Sequence, residues 1–300
     1  MPLSPMVTII ILNWNNASDT LACLNSVTKL DYDNFQVIVV DNDSTDDSVV
    51  TITTAYPDIT MLEAGQNLGY AGGNNLGIKH ALQNGCQYIW LLNDDVIVAP
   101  DALSSLMSVA LAKPQAGFLG PKVYIREQPE CILSAGGLLH DYWQSEHLGL
   151  GELDKGQFDT VAEVDYLSGC ALLVNRKVIE AVGMLDEDFF AYNEDVEWCY
   201  RGKRTGFKNI FVPEAKVWHP DTRGRDENSP AVTYYTTRNS LQFIRKHDLG
   251  FATMVRTLSG YARTLLSWSL RPRWRHKREQ RNALTRAIMD FARKQFGPMG

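Results

Sequence analysis

This 300-residue sequence lacks the marks of several large protein classes. Cysteine is sparse: Cys23, Cys86, Cys131, Cys170 and Cys199 are odd in number, scattered, and form no CxxC pair. That argues against a disulfide framework and predicts reduced thiols in a cytoplasmic setting. Long uninterrupted apolar runs are missing too. Phe251 to Leu270 contains Arg256 and Arg263, so no spanning helix is expected. The opening MPLSPMVTIIIL has no basic segment ahead of its apolar residues and meets Asn13 early, so it reads as a first strand and not as a signal peptide. There is no GxSxG elbow, since Ser168-Gly169 stands in an apolar strand, and this removes a serine hydrolase. The GxGxxG spacing of dinucleotide binders is absent, as are internal repeats and low-complexity tracts.

What is present is an ordinary globular composition, 45% hydrophobic, with an uneven charge. Residues 238–300 hold 14 Lys and Arg against three acids, while the preceding 237 residues hold 15 against 32. An acidic body with a basic tail suggests two tasks. The most basic stretch, RPRWRHKREQR at 271–281, carries no nucleic-acid-binding motif, and the acidic body opposes such a partner.

Along the first hundred residues, apolar runs alternate with segments of helical periodicity, the pattern of parallel βαβ units in an α/β fold. Val7 to Leu12 and Phe35 to Val40 are strand-like, and Ala17 to Leu30 has helical spacing. A strand near Ile59 to Glu63 leads into the glycine-rich NLGYAGGNN, residues 67–75. Asp41-Asn42-Asp43-Ser44-Thr45-Asp46 is a polar turn able to cap the next helix. After Pro100 a helix is expected to about Lys113, whereas 117–158 reads only as short strands and glycine turns. Regularity returns with YLSGCALLV at 166–174, a short helix, and FFAYNEDVEW at 189–198. Two short strands, Lys208 to Val212 and Ala215 to Trp218, flank Pro213. Beyond a charged loop, Asp221 to Pro230, the chain reads as helices.

The segment richest in chemistry is YIWLLNDDVIV, residues 88–98. It reads as a buried strand broken at its end by Asn93, Asp94 and Asp95. Two adjacent carboxylates there are costly to keep ionised without a cation beside them. In an open α/β sheet this edge faces the ligand crevice, so a hard divalent cation carrying phosphate oxygens is the economical partner. Asn13-Trp14-Asn15, Asp41 and Asn193-Glu194-Asp195 are further polar strand-end groups that would converge on the same crevice. The set points to a nucleotide or nucleotide-sugar site.

The segments VTIIILNWNN, VIVVDNDSTDDS, NLGYAGGNN, YIWLLNDDVIV, YLSGCALLVNR, GMLDEDFFAYNEDVEWCYR and VPEAKVWHP follow in one order from residue 7 to about 220. In that set and order the sequence resembles the inverting glycosyltransferases of family 2, and specifically bacterial rhamnosyltransferase-like members. The resemblance implies a GT-A fold, Rossmann-like, with a mostly parallel central sheet flanked by helices. It implies a catalytic domain over 1–225, followed by a helical, basic C-terminal extension over 226–300.

By the same resemblance, Trp14 stacks on the nucleotide base beside Asn15, and Asp41 accepts the imide N–H of thymine or uracil. Asn67, Gly69 and Asn75 contact ribose or phosphate, with Asn75 the leading contact. Asn93 stands where many members carry Asp and is placed with Asp94 on the donor, Asp94 holding ribose or a metal-bound water. Asp95 and His219 are the implied ligands of Mn²⁺ or Mg²⁺. Asp195 is the implied general base, with Glu194 orienting it, binding the acceptor or capping the helix. Glu197 reads as a surface charge, and His140, Asp141 and His147 as a surface loop.

The function implied is metal-dependent, inverting transfer of a sugar, L-rhamnose from dTDP-rhamnose or another dTDP- or UDP-sugar, to a saccharide acceptor. That acceptor is expected to be polyprenyl-diphosphate-linked, in bacterial cell-surface polysaccharide synthesis. The enzyme would be cytoplasmic and peripheral at the inner face of the plasma membrane. Residues 250–300 would meet anionic lipid there, or else form an oligomer contact. A sugar-nucleotide pyrophosphorylase needs a glycine-rich basic phosphate loop where this chain has Asn13-Trp14-Asn15. A noncatalytic nucleotide-sugar binder or scaffold is the alternative from another class.

Overall fold

The computed structural model describes residues 4–140, 144–222 and 229–299. Asp141 lies outside them. The apolar runs of the first hundred residues form β1 (Val7–Asn13), β2 (Phe35–Asp41), β3 (Thr60–Glu63) and β4 (Tyr88–Asn93), joined by α1 (Ala17–Val27), α2 (Ser48–Ala55) and α3 (Gly69–Gln83). Continuous apolar strands are those covered on both faces. Ile9 and Ile11 pack on one side with Trp90 and Leu92, and Ile10 packs on the other with Ile89 and Leu91. This is the two-residue period of a pleated strand inside two layers of helix.

After β5 (Ile97–Val98) and α4 (Ala102–Ala112), the weakly patterned middle folds into β6 (Ala116–Ile125), β7 (Gln128–Ser134), the antiparallel pair β8 (Gly137–His140) and β9 (Gln144–His147), and β10 (Ala162–Val164). Next come β11 (Ala171–Asn175), α5 (Arg176–Val182), α6 (Glu194–Arg204) and β12 (Lys208–His219). The main sheet runs β10-β12-β6-β11-β4-β1-β2-β3, with β5 pairing to β12 and β7 to β6. β3, β2, β1 and β4 are parallel, β11 runs against both β4 and β6, and β6 and β12 are again parallel. The two strands expected around Pro213 are one. β12 accommodates the proline, which has no N–H to give a ladder, at a register shift between Val212 and Lys216.

The glycine-rich stretch is not a loop. Most of it is the first half of α3, and Gly73 within it and Gly77 just beyond let that helix lie close on the sheet. A Cβ at Gly73 would stand 2.5 Å from Leu12 Cδ1, and one at Gly77 would stand 2.7 Å from Ile10 Cγ2.

Among the described residues three α-helices follow: α7 (Pro230–Lys246), α8 (Phe251–Leu270) and α9 (Arg278–Ala292). Ser229 caps α7 through the N–H of Val232, with Pro230 in the first turn where no N–H is needed. The division expected near residue 225 is not a packing boundary, because Phe243 and Ile244 of α7 belong to the core under α6. Helix α9 rests on α7, where Ala283 and Ala287 meet Tyr234 and Tyr235 and the Tyr234 hydroxyl donates to Asp290 at 2.7 Å. By contrast α8 buries none of its residues. No helix among the described residues is long and apolar enough to cross a membrane.

Candidate active site

The carboxyl ends of β1, β2 and β4 share one edge by register: Asn13 lies opposite Asp41, and Leu12 opposite Asn93. Asp41 is buried. Its Oδ1 accepts from Asn13 Nδ2 at 2.8 Å and from the Ser44 hydroxyl at 2.6 Å, and its Oδ2 accepts from the Ser44 N–H at 2.9 Å. A carboxylate has about four acceptor positions, so one remains. Ser44 also receives the Asn15 N–H at 2.9 Å, while Asn15 Oδ1 accepts from Thr45 N at 2.7 Å. These bonds fix the mouth of the β1 and β2 loops. Trp14 stands there 53% exposed, with its ring open to solvent.

Asp94 and Asp95 occupy the turn between β4 and β5, and β5 pairs with the end of β12 through Trp218 opposite Ile97. That pairing carries His219 back to the acid pair. Its Nε2 is 3.2 Å from Asp95 Oδ1 and 3.2 Å from Asn93 Nδ2, while Nδ1 meets the Pro220 carbonyl at 2.8 Å. A carbonyl can only accept, so Nδ1 carries a proton. In the neutral ring Nε2 then presents a lone pair toward Asp95. Asp95 Oδ1 is itself buried without a hydrogen bond among the described residues. A buried carboxylate oxygen facing an imidazole lone pair is an arrangement that a cation completes.

The residues therefore fit Mn²⁺ or Mg²⁺ as a pair of protein ligands. Among the described residues no group of three or more His, Cys, Asp or Glu could hold a metal, so the other positions would fall to water and phosphate oxygens. Burial works against the charge on Asp95, yet a proton on His219 Nε2, whose own pKa Asp95 raises against burial, and the more distant Arg126 hold its carboxyl below the usual range; that proton takes the place a metal cation would fill. Burial followed by repulsion from Asp95 pushes Asp94 up to about 7, against a hydrogen bond from Asn16.

Across the β11–β4 pair lies the second carboxylate pair. The Asn93 N–H donates to the Cys170 carbonyl at 2.9 Å, and the neighbouring Gly169 N–H donates to Asp195 Oδ2 at 2.7 Å. Asp195 Oδ1 accepts from Val196 N at 2.7 Å. Burial raises the pKa of Asp195, and the two N–H bonds offset only part of that rise. Glu194 is raised well above its ordinary value, first by burial and then by Asp195, and its Oε2 has no hydrogen bond among the described residues. Asp195 is thus the oriented, ionisable member and Glu194 the reluctant one.

Other expected contacts lie elsewhere in the fold. Asn75 does not face the crevice: it is buried, donates to Leu185 O and Glu187 Oε1 at 2.9 Å each, and accepts from Leu185 N at 3.1 Å. Its amide pins α3 to the loop ahead of α6. Asn67 Oδ1 accepts from Gly69 N at 2.9 Å and from Asn42 Nδ2 at 3.1 Å, so it closes the start of α3. Gly69, at φ +69°, is packed 2.5 Å from the Phe190 carbonyl by the measure of an added Cβ. Glu197 is fully buried, not a surface charge. His147 turns inward to Ser134 at 2.9 Å and lies near enough to Asp195 to favour its charge, whereas His140 pairs with Glu146 at the surface.

Several contributors were not anticipated. Arg126 donates to Asp19 at 3.1 Å and to the Asp95 carbonyl at 3.4 Å. Tyr70 donates to the Gly169 carbonyl at 2.7 Å. Most telling is the loop entering α6, where Phe190, Tyr192 and Asn193 all have positive φ. Such backbone costs energy and persists only when its surroundings over-determine it. Here the wholly buried amide of Asn239 in α7 contacts the carbonyls of Phe189, Ala191 and Tyr192 at 2.7–2.8 Å, and the Arg238 guanidinium takes those of Asp188 and Phe189 at 3.2 and 3.0 Å. The adjacent Arg-Asn pair in a helix was the only sequence signal for it.

A mainly parallel sheet whose carboxyl edge gathers a metal-competent Asp-His pair opposite a buried Glu-Asp pair defines a GT-A type glycosyltransferase. The mannosyltransferase PcManGT from Pyrobaculum calidifontis, solved with GDP-Man and Mn²⁺, shares this fold with a TM-score of 0.62, at 17% identity over 98% of this chain and 89% of that one. Residues 8–183 match the model of glycosyl transferase family 2, and the chain belongs to that family. It is 30% identical to the N-acetylglucosaminyl-diphospho-decaprenol L-rhamnosyltransferase of Mycobacterium tuberculosis over 257 residues, 78% of this chain and 79% of that one. It is 26% identical to the dTDP-rhamnosyl transferase RfbF of Shigella flexneri over 262 residues, 82% of each.

Proposed function

We propose that this glycosyltransferase moves L-rhamnose from dTDP-rhamnose, with inversion, to a polyprenyl-diphosphate-linked saccharide at the inner face of a bacterial plasma membrane. The observation that carries this reading is the juxtaposition, through Gly169 and Cys170, of Asp195 with the Asn93-Asp94-Asp95 turn. The names of the two rhamnosyltransferase relatives supply the sugar, the nucleotide and the lipid-linked acceptor.

In this reading Trp14 and Asp41 take the base, and Asn15 and the β2 loop border the nucleoside. Asp95 and His219 would hold Mn²⁺ or Mg²⁺, with imidazole favouring Mn²⁺. That cation supplies charge neutralisation for the departing diphosphate. Asp94 faces ribose or a bound water. Asp195, held by two N–H groups, accepts the proton of the acceptor hydroxyl as that oxygen attacks the anomeric carbon from the face opposite the diphosphate. Glu194, kept protonated by burial beside Asp195, can donate a hydrogen bond within the acceptor side of the crevice.

The test is a thermal-shift panel of dTDP-, UDP- and GDP-sugars with and without Mn²⁺, paired with transfer assays on Asp195→Asn. The largest shift is expected with dTDP-rhamnose plus Mn²⁺. The variant should keep that shift and lose about 10²-fold or more in transfer, the scale of a general base. Wild-type transfer rates in Asp195→Asn would remove the base assignment, and a panel that ignores dTDP-rhamnose would remove the donor.

A further inference from the structure

Beyond the acid-lined crevice, a cavity of about 1060 Å³ opens between the β8–β9 pair, α7 and α8, and reaches Asn193, the residue before Glu194. Its wall carries Arg256, Arg263 and Arg271 with the rings of Tyr261, Trp268 and Trp274. Among the described lining residues the one acid, Glu146, is paired with His140 at 2.6 Å, so among them cations are in excess. The guanidinium groups of Arg263 and Arg271 have no ion-pair or hydrogen-bond partner among the described residues. The indole N–H of Trp274 is buried, likewise without a partner among them. Guanidinium groups lacking a counterion match the oxygens of a phosphate, and more so of a diphosphate. Flat rings beside them offer apolar faces to a sugar ring and N–H or O–H groups to its hydroxyls.

The opposite face of the same helix has its own chemistry. Phe251, Val255, Leu266 and Leu270 of α8 are 84%, 46%, 60% and 75% exposed. At about 100° per residue they fall within a single arc of about 100°. The basic run 271–281 follows directly. An exposed apolar stripe ending in Lys and Arg is complementary to an anionic bilayer surface, the rings and aliphatic residues entering the acyl boundary and the cations meeting headgroups.

We propose that the cavity binds the diphosphate and first sugar of a lipid-linked acceptor, and that the outer stripe of α8 lies in the lipid surface carrying that acceptor's tail. This rests on the glycosyl-transfer reading above and says where its acceptor sits. Arg263 and Arg271 hold the diphosphate, with Arg256 beside them, the aromatic rings flank the sugar, and the sugar end points past Asn193 toward Glu194 and Asp195. One helix thereby separates a phosphosugar head on its inner side from lipid on its outer side.

The experiment uses the full-length protein and a water-soluble two-isoprene diphospho-N-acetylglucosamine, titrated by calorimetry without donor. Saturable binding is expected, weakened about tenfold or more in the double variant Arg263→Gln/Arg271→Gln, while the thermal shift given by dTDP-rhamnose with Mn²⁺ stays at the wild-type value. N-acetylglucosamine without the diphosphate should bind weakly and equally to both proteins. Absence of saturable binding by the wild type, or equal affinity of the variant, would overturn the assignment. In a second arm, Leu266→Asp/Leu270→Asp should abolish co-sedimentation with phosphatidylglycerol vesicles and leave soluble-ligand binding intact; unchanged sedimentation would overturn the lipid half. A protein that binds the diphospho-sugar but no nucleotide sugar would fail the transferase reading alone.

Discussion

Replacing Glu197 by Gln tests what holds the helix that presents Glu194 and Asp195. The Glu197 carboxylate has no exposed surface. Arg201 Nε sits 3.0 Å from both of its oxygens, Lys246 Nζ at 2.9 Å, and His247 Nε2 at 3.1 Å. Burial alone would raise its pKa, but His247, Arg201 and Lys246 together outweigh burial and bring it down to about 2 from an ordinary 4.5. By linkage, that difference between folded and unfolded chains contributes ~3 kcal/mol at neutral pH. Removing the charge also leaves Arg201 facing an amide in a dry site, and breaking a buried pair costs ~3–5 kcal/mol.

Lys246 retains Asp186 as a second partner, so the lower end, about 3 kcal/mol, is the expected loss. At about 2–4 °C per kcal/mol this is a fall of roughly 6–12 °C in Tm. The folded-state pKa lies below the unfolded one, so the contribution is complete above about pH 5 and disappears as the pH falls toward 2. The variant lacks it. Urea unfolding of both proteins at pH 7 and pH 3 should therefore show a gap that shrinks by about half at the lower pH. A variant within ~0.5 kcal/mol of wild type at pH 7, or a gap of the same size at both pH values, would refute the reasoning.

Other consequences are open to measurement. Asn239→Ala leaves several loop carbonyls without their donor and should cost ~2–4 kcal/mol. It should also lower kcat about tenfold or more with donor affinity kept, and an unchanged kcat would show that the loop holds its own shape. Gly73→Ala should overpack Leu12, losing ~1–3 kcal/mol in chemical denaturation; a neutral outcome would mean that α3 can lift off the sheet freely. Trp14→Ala, at an exposed ring, should leave Tm within about 2 °C of wild type and raise the KM for the nucleotide sugar roughly tenfold; equal KM values would remove Trp14 from the base.

The parts of the site that were legible are those whose signal is local. An Asp-Asp break in YIWLLNDDVIV, the β-branched run before Asn13, and the acid after VIVV each announce a strand and its polar end within ten residues. The parallel order of β1, β2 and β4 then follows from the alternation with helices. The missed assignments are ones in which a partner far along the chain decides the role. Asn75 looks like a ligand contact until Leu185, 110 residues away, takes up its amide. Glu197 looks solvated until Lys246, at the end of α7, and His247 just after it arrive. The glycines of NLGYAGGNN suit both a phosphate loop and a close helix contact, and only the position of Leu12 beneath Gly73 chooses between the two. His147 and the β8–β9 pair lie in the stretch where hydrophobic periodicity is weakest.

The left-handed backbone ahead of Glu194 has one more implication, which concerns time. The carbonyls of that loop from Asp188 to Tyr192 are held by Asn239 and Arg238, some fifty positions later in the chain. On a ribosome the whole nucleotide half of the sheet is complete and free to fold before α7 is made. The proposed nucleotide side can therefore mature first, while Asp195, the acid proposed as general base, reaches its final geometry only when α7 docks. The order of synthesis delays the Glu194-Asp195 side of the molecule until the helices proposed to meet the acceptor have been made or are about to be.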